Sequence, residues 1–314
     1  MNQADAGALD PAALIASCRN PQDTSPVAAN LLAARLAVLS GNYLPRGKGA
    51  VPRWIGRRMI GKARYALRAY EGFDYVGDGQ AVDSLVYYLR DKAHGQDIVQ
   101  LCRALTGPNE VFYDIGANVG HVSLSMAHSH ADARHIAIEP VPRLAAAITT
   151  AAARNGFEQL EVYSAALDAE LGHTSFFVTP LSTHASLVGR QIAGVEELRI
   201  PTLTLDAMVS TGAIPPPDVI KLDVEGAEMR MMNGAEAVFR EHRPTLLYEC
   251  DQNADRFGHS PGDFMERLRG LGYTRFFRVQ GLKRTEILAG ETVPYGDFLA
   301  IDDAGEARLS RLSG

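Results

Sequence analysis

Seven residues, Asp114-Ile115-Gly116-Ala117-Asn118-Val119-Gly120, constrain this chain more than any other stretch. They follow an apolar run, Val111-Phe112-Tyr113, that reads as a short buried strand, and they open into Val119–Met126, which reads as a helix. Strand, small-residue turn and helix in that order form the first unit of an α/β sheet whose turn receives a nucleotide-type ligand. The glycines let the backbone turn sharply and let a ligand approach where a Cβ would collide. The spacing is Asp-x-Gly-x-Asn-x-Gly, not the dinucleotide fingerprint Gly-x-Gly-x-x-Gly. A pyrophosphate needs backbone N–H groups at a helix start and no nearby anion. Asp114 supplies an anion there and suits a ligand carrying an amine or a sulfonium. The loop therefore points to S-adenosylmethionine (SAM) in preference to a nicotinamide dinucleotide.

Three later segments extend the pattern. Arg134–Glu139 is a second apolar strand ending in an acid and stopped by Pro140. Glu139 stands at the distance where a βαβ unit places the acid that accepts hydrogen bonds from a ribose diol. Asp218–Asp223 reads as another strand and runs directly into Val224-Glu225-Gly226-Ala227-Glu228. A helix, Met229–Arg240, and a strand, Pro244–Glu249, follow. In open α/β sheets ligands sit beyond the carboxyl ends of the strands, so Asp223 and Glu249 should converge with Asp114 and Glu139 on one crevice.

These residues resemble the FkbM-type SAM-dependent methyltransferases. The resemblance rests on D-I-G-A-N-V-G (114–120), I-E-P (138–140), S-A-A-L-D (164–168), T-L-T-L-D (202–206), I-K-L-D-V-E-G-A-E (220–228) and R-P-T-L-L-Y-E (243–249). They occur in the family's order and cover roughly residues 85–301. The resemblance implies a Rossmann-like class I methyltransferase fold: a mostly parallel, seven-stranded sheet flanked by helices, with one antiparallel strand near the C-terminus. It also implies methyl transfer to oxygen, usually on a sugar or other secondary metabolite. His121 departs from the pattern, since the family commonly has an aromatic or small residue there.

The expected organisation is a flexible N-terminus over residues 1–25, a helical accessory segment over 26–80 and the methyltransferase domain over 81–314. Pro26–Ser40 has helical spacing, and Arg53–Tyr70 reads as a second helix. Arg46 to Tyr70 carries eight basic residues and no acid. It reads either as a patch for an anionic ligand or membrane surface, or as a solvated helix packed on the catalytic domain. Gly72–Gly79 reads as turn. Val82–Leu89 and Gln96–Leu105 read as helices leading into the sheet. Residues 169–201 form an insertion with a strand-like run, Thr174–Val178, and a polar loop around His184 that suits an acceptor-binding lid or a plain surface loop.

Composition narrows the function classes. A net charge of −6 argues against a nucleic-acid partner, because phosphate backbones need a basic face. Cys18, Cys102 and Cys250 lie far apart and form neither a disulfide framework nor a C-x-x-C motif. No apolar run approaches the length of a membrane span and no signal-peptide pattern opens the chain, so a cytoplasmic protein is expected. The resemblance implies a small-molecule or glycan acceptor as the partner, and composition does not oppose it.

Methyl transfer to an alcohol needs the acceptor oxygen placed behind the methyl carbon and its proton removed. In this reading Asp114, Gly116, Asn118 and Gly120 shape the methionine side of the pocket, Glu139 takes the ribose, and Ala165, Ala166 and Leu167 lie near the adenine. Asp223 orients cofactor or acceptor. Proton removal falls to Asp223, Glu225, Glu249, His121 or His184. Glu225 is the expected base, since Asp223 and Glu225 lean to the same side if the chain is extended there; the rival role for Glu225 is a helix cap. Sequence spacing establishes no metal site. The competing readings are methyl transfer to nitrogen or carboxylate and a SAM-binding partner without turnover, which has little use for several buried acids.

Overall fold

The computed structural model describes residues 10–29, 32–43, 50–69, 71–79, 96–178, 185–186, 195–288 and 290–311. Its strands run β1 (Val27–Ala29), β2 (Arg64–Arg68) and β3 (Asp74–Gly77), then β4 (Val111–Ile115), β5 (Arg134–Ile138) and β6 (Leu160–Tyr163). Next come β7 (Ala166–Leu167), β8 (Gly172–Val178), β9 (Ala185–Ser186) and β10 (Glu196–Leu203). The last are β11 (Val219–Leu222), β12 (Thr245–Cys250), β13 (Arg275–Gln280), β14 (Lys283–Glu286) and β15 (Gly296–Ile301). The central sheet has the order β14-β13-β15-β12-β11-β4-β5-β6. Strands β6, β5, β4, β11 and β12 are parallel neighbours, and β15 runs antiparallel to both β12 and β13. Setting aside the largely exposed edge strand β14, which pairs only with β13 in this sheet, seven strands remain, as the resemblance implies.

Parallel strands covered on both faces read as continuous apolar runs, and these do. Alternate residues feed two cores. Tyr113, Ile115, Ile220, Leu222, Leu246 and Tyr248 enter one; Phe112, Val219, Leu247 and Leu299 enter the other. Because each strand is covered on both faces, a ligand is met at a strand end, and in open α/β sheets that is the carboxyl end. The strand order reverses between β4 and β11, which splays the adjoining loops and leaves a crevice there.

Several expectations change. Pro11–Cys18 is a helix capped by the Asp10 side chain, which accepts from Ala12 N, and its Ile15 and Cys18 are buried in the core. Arg19 pairs with Glu161 and Asn20 bonds Val162, so residues 10–20 are built into the fold, while residues 1–9 lie outside the described residues. The accessory segment is not wholly helical. The expected helix from Pro26 gives way to strand β1, with the helix itself at Leu32–Tyr43; the one over Arg53–Tyr70 stops near Gly61, whose φ of +60° turns the chain into β2. Gly72–Gly79 contains β3 where a turn was expected. Together β1, β2 and β3 make a small sheet whose Asp74 exchanges backbone hydrogen bonds with the Asn155 side chain, docking it on the helix Pro142–Asn155. The expected helix Met229–Arg240 is two, Glu228–Asn233 and Glu236–His242, broken at Gly234, where a Cβ would lie 2.0 Å from the Asp168 carbonyl. Val82–Leu89 and His184 lie outside the described residues.

Candidate active site

A cavity of about 420 Å³ opens at the carboxyl ends of β4, β5, β11 and β12. Its walls come from Gly116, Ala117 and Asn118, from Glu139, from Ala165, Ala166 and Leu167, and from Asp223, Glu225 and Glu249. A recess of about 250 Å³ adjoins it, walled by Ile98, Tyr248 and Asp297 among others. His121, Lys221, Asp223 and Glu249 line both, so these side chains stand at the junction of the two spaces.

Glu139 follows β5 directly and is buried. Its Oε2 accepts from Asn118 N at 2.7 Å and its Oε1 from Val141 N at 2.8 Å. Asn118 reaches that position through a left-handed turn, φ +52°. Burial pushes the Glu139 carboxyl up to about 7, against the pull of those two donors. Each oxygen keeps lone-pair capacity for a hydroxyl donor.

Two of the loop's expected residues, Asp114 and Gly120, act on the protein and not on the cavity. Asp114, expected at the methionine side, does not line it. Its carboxylate is buried below, accepting from Ser123 N (3.0 Å) and Ser123 Oγ (2.5 Å) and standing 3.3 Å from Lys221 Nζ. Gly120 also falls outside the lining: a Cβ there would meet Ile148 Cγ1 at 2.8 Å, so its smallness serves helix packing. Gly116 lines the cavity, but a Cβ there would lie 1.8 Å from the Asp223 carbonyl, so the close approach it permits is between the ends of β4 and β11.

Glu225 is not placed by an extended chain. Strand β11 ends at Leu222 and Glu225 has φ +54°, so the argument from alternation fails there. Nor is it a cap: the helix starts at Glu228 behind Ala227 with no side-chain cap, and the Glu228 carboxylate accepts from Gly226 N. Glu225 lines the larger cavity and receives Asn253 Nδ2 at 2.8 Å. Asp168, whose motif the resemblance includes, faces away and grips Arg230 through both oxygens.

Like charge dominates the junction. Glu249 sits opposite Asp297 in the β12–β15 register. Although open to the cavity, its carboxyl is held well above the carboxylate range, first by the neighbouring Asp223 carboxylate, then by burial and Asp297. Asp297 is pushed up to about 6, by burial first and then by Asp223, while Lys221 opposes both. Lys221 Nζ lies 3.3 Å from Asp114 and 3.4 Å from Asp223, tying the end of β4 to the end of β11. His121 is buried, and its Nδ1 lies 2.6 Å from the Tyr75 hydroxyl, so the accessory sheet reaches the site through β3.

Residues 114–275 match the family model described as the Methyltransferase FkbM domain. The chain belongs to this family. Its methyl donor is S-adenosylmethionine. A hexuronic acid methyltransferase, AglP, from Haloferax volcanii is 25% identical over 150 residues, 48% of this chain and 59% of that protein. The chain thus spans under two thirds of the length of the relative it matches. Among solved structures, an FkbM methyltransferase from Methylobacillus flagellatus is 16% identical with a TM-score of 0.42, covering 72% of this chain and 55% of that one. A SAM-dependent O-methyltransferase from Thermotoga maritima is 11% identical with a TM-score of 0.37, covering 76% and 77%.

The residues present fit the donor. Glu139 is a hydroxyl acceptor in the cavity wall, Ala165, Ala166, Leu167 and Phe176 make an apolar wall, and Asp223 and Glu225 oppose positive charge. Lys221, Tyr75, Phe176, Asp251 and Asp297 carried no expected role. The signal for Lys221 was available: a lysine inside an apolar strand, Ile220-Lys221-Leu222, must find anions. Phe176 and Tyr75 had none, since their elements are joined to the site only by folding. Away from the cavity, Glu228, Cys250 and His259 are buried at metal-like spacing; His259 Nε2 lies 3.1 Å from Glu228, and burial raises the Cys250 thiol.

Proposed function

We propose that this protein is a SAM-dependent O-methyltransferase acting on a hydroxyl of a sugar or sugar-bearing small molecule. The observation that carries the reading is the junction itself, where His121, Lys221, Asp223 and Glu249 face both a cofactor-sized cavity and a second recess able to take an acceptor. When bound, SAM supplies an electrophilic methyl group on a sulfonium. Glu139 accepts its ribose hydroxyls, and Asp223 balances its positive charge. Glu249 receives the acceptor's hydroxyl proton. Asp223 beside it holds this carboxyl above the carboxylate range, so once ionised it is a stronger base than an ordinary carboxylate, and a cationic ligand alongside favours the ionised form. His121, steadied by Tyr75, orients the acceptor oxygen. Glu225, held by Asn253 away from the recess, shapes the cofactor cavity instead of serving as base.

The hexuronic acid relative supports a sugar acceptor. The lining of this site modifies that expectation. Glu139, Asp223, Glu225, Glu249, Asp251 and Asp297 stand against Lys221, and Lys221 is already opposed by two carboxylates. A neutral or amino-bearing sugar suits such a site better than a uronate. The test is conversion of SAM to S-adenosylhomocysteine with matched neutral, amino and uronic acid sugars, the product identified by its added methyl. Turnover confined to uronates would overturn the acceptor assignment, and methyl found on nitrogen would overturn the O-transfer.

A further inference from the structure

Between Pro26 and Tyr70 lie nine of the chain's 31 Lys and Arg residues and none of its 37 Asp and Glu residues. In a protein of net charge −6 this is a strong local reversal. The structure describes the side chains of six of these cations. Arg64 turns inward, buried, with its guanidinium on the Asp23 carbonyl and Thr150 Oγ1. Arg68 pairs with Asp74. Arg35, Arg57, Arg58 and Lys62 are exposed, Arg35 and Arg57 each also interacting within the protein.

The same short segment holds four of the seven exposed large hydrophobic residues among those described: Leu32, Leu36, Trp54 and Met59, at 69, 42, 60 and 55% exposure. Leu32 and Leu36 share a face of the helix Leu32–Tyr43, one turn apart, with Arg35 beside them. Trp54 lies in the last turn of the helix Ala50–Ile55, and Met59 with Arg57 and Arg58 occupies the π-helical turn Gly56–Ile60 that continues it. Ala33, Ala34, Ala37, Ile55 and Ile60 from the same elements are buried, so the segment has already filled its core. The exposed leucines, tryptophan and methionine are apolar surface left over, and they are interleaved with cations.

From this we infer that the accessory segment docks on an anionic lipid surface, with Leu32, Leu36, Trp54 and Met59 entering the interface and Arg35, Arg57, Arg58 and Lys62 meeting headgroup phosphates. Short helices with apolar tips and Lys/Arg flanks bind in the plane of a bilayer, and tryptophan favours the headgroup level. A second copy of this chain is a poorer occupant, since an isologous contact would press one basic patch on its equal. Nucleic acid would satisfy the arginines but give Leu32, Leu36 and Met59 no apolar partner. This inference is independent of the reaction proposed above.

Trp54 is the sole tryptophan, so its emission reports on this surface without any substitution. The purified full chain is titrated with vesicles of phosphatidylcholine, with and without phosphatidylglycerol, at low and high salt. The expected result is a blue shift and co-sedimentation only with the anionic vesicles, reversed by salt, with quenching by lipids brominated in the acyl chain. Arg57→Gln with Arg58→Gln should weaken partitioning roughly tenfold or more, while SAM affinity is unchanged. An unshifted Trp54 with no co-sedimentation overturns the inference. A shift that follows protein concentration without lipid assigns the face to self-association and also overturns it. So does binding to heparin as tight as to vesicles without quenching by brominated chains.

Discussion

At the level of single residues, the chemistry turns on which carboxylates hold a proton. Glu139 and Glu249 are both raised, for different reasons: Glu139 by burial, Glu249 chiefly by the Asp223 carboxylate. A hydroxyl donor from the ribose favours the ionised form of Glu139. SAM affinity is therefore expected to rise as pH increases through about 7, where the free carboxyl loses its proton. Glu139→Ala should lower affinity about tenfold to a hundredfold, the equivalent of losing charge-assisted hydrogen bonds of ~1.5–3 kcal/mol, and should flatten that pH dependence. Calorimetry across pH 6 to 8 checks both; a pH-independent wild-type affinity would remove Glu139 from the ribose. For Glu249 the expectation concerns rate. Glu249→Gln should reduce kcat about a hundredfold or more with SAM affinity little changed, whereas Glu225→Gln should retain most turnover. If Glu225→Gln is the variant that loses turnover, the base lies on the loop after β11 and Glu249 only tunes its surroundings.

Elements position these residues by close backbone contact. The loop after β4 touches the end of β11 at Gly116, with φ +82° and no room for a Cβ beside the Asp223 carbonyl. Gly116→Ala would add a strained left-handed residue to an overpacked contact, each costing on the order of 1–3 kcal/mol. The two strand ends must then separate, and Lys221 loses its simultaneous approach to Asp114 and Asp223. A markedly lower urea midpoint together with weakened SAM binding is expected. A variant as stable as wild type would show that the loop yields without disturbing β11. The junction of β3 with the site makes a parallel point. Tyr75 meets His121 because β3 docks on the helix Pro142–Asn155, two elements whose sequences show no relation to each other.

For the molecule as a whole, the N-terminal residues belong to the domain they precede. Ile15 and Cys18 fill the core that Tyr163 and Leu203 also fill, and Glu161 takes both Arg19 and Arg134. Ile15→Ala is expected to cost ~2–5 kcal/mol, the usual range for a buried large-to-small change, read as a lowered midpoint of thermal or urea unfolding. A loss below about 0.5 kcal/mol, the size typical of surface sites, would show that the helix Pro11–Cys18 contributes little. The sheet order places every cavity-lining acid of β5, β11 and β12 at one end because parallel strands share a direction. Asp297 joins them from the start of the antiparallel strand β15, whose beginning lies at that same end.

The local order of the sheet was legible in the sequence. Short apolar runs, each ending in an acid or a small-residue turn and separated by helical spacing, read as parallel strands with helices between them, and their motifs carried the family. Glu139, Asn118, Ala165, Ala166, Leu167, Asp223 and Glu249 were expected at the crevice and do line the cavity, because a residue at or just past the carboxyl end of a strand has its position set by the strand. What tertiary structure alone decided is the direction of side chains whose neighbours come from elsewhere. Asp114 bears the acid the motif requires, yet Ser123 and Lys221 draw it below the cavity floor. Glu225 sits two residues beyond Asp223, yet a left-handed turn redirects it toward Asn253. The raised proton affinity of Glu249 comes from carboxylates on two neighbouring strands, β15 and the end of β11, distances no one-dimensional pattern encodes. Periodicity reports the face of an element on which a residue lies; only the packed fold fixes what that face meets.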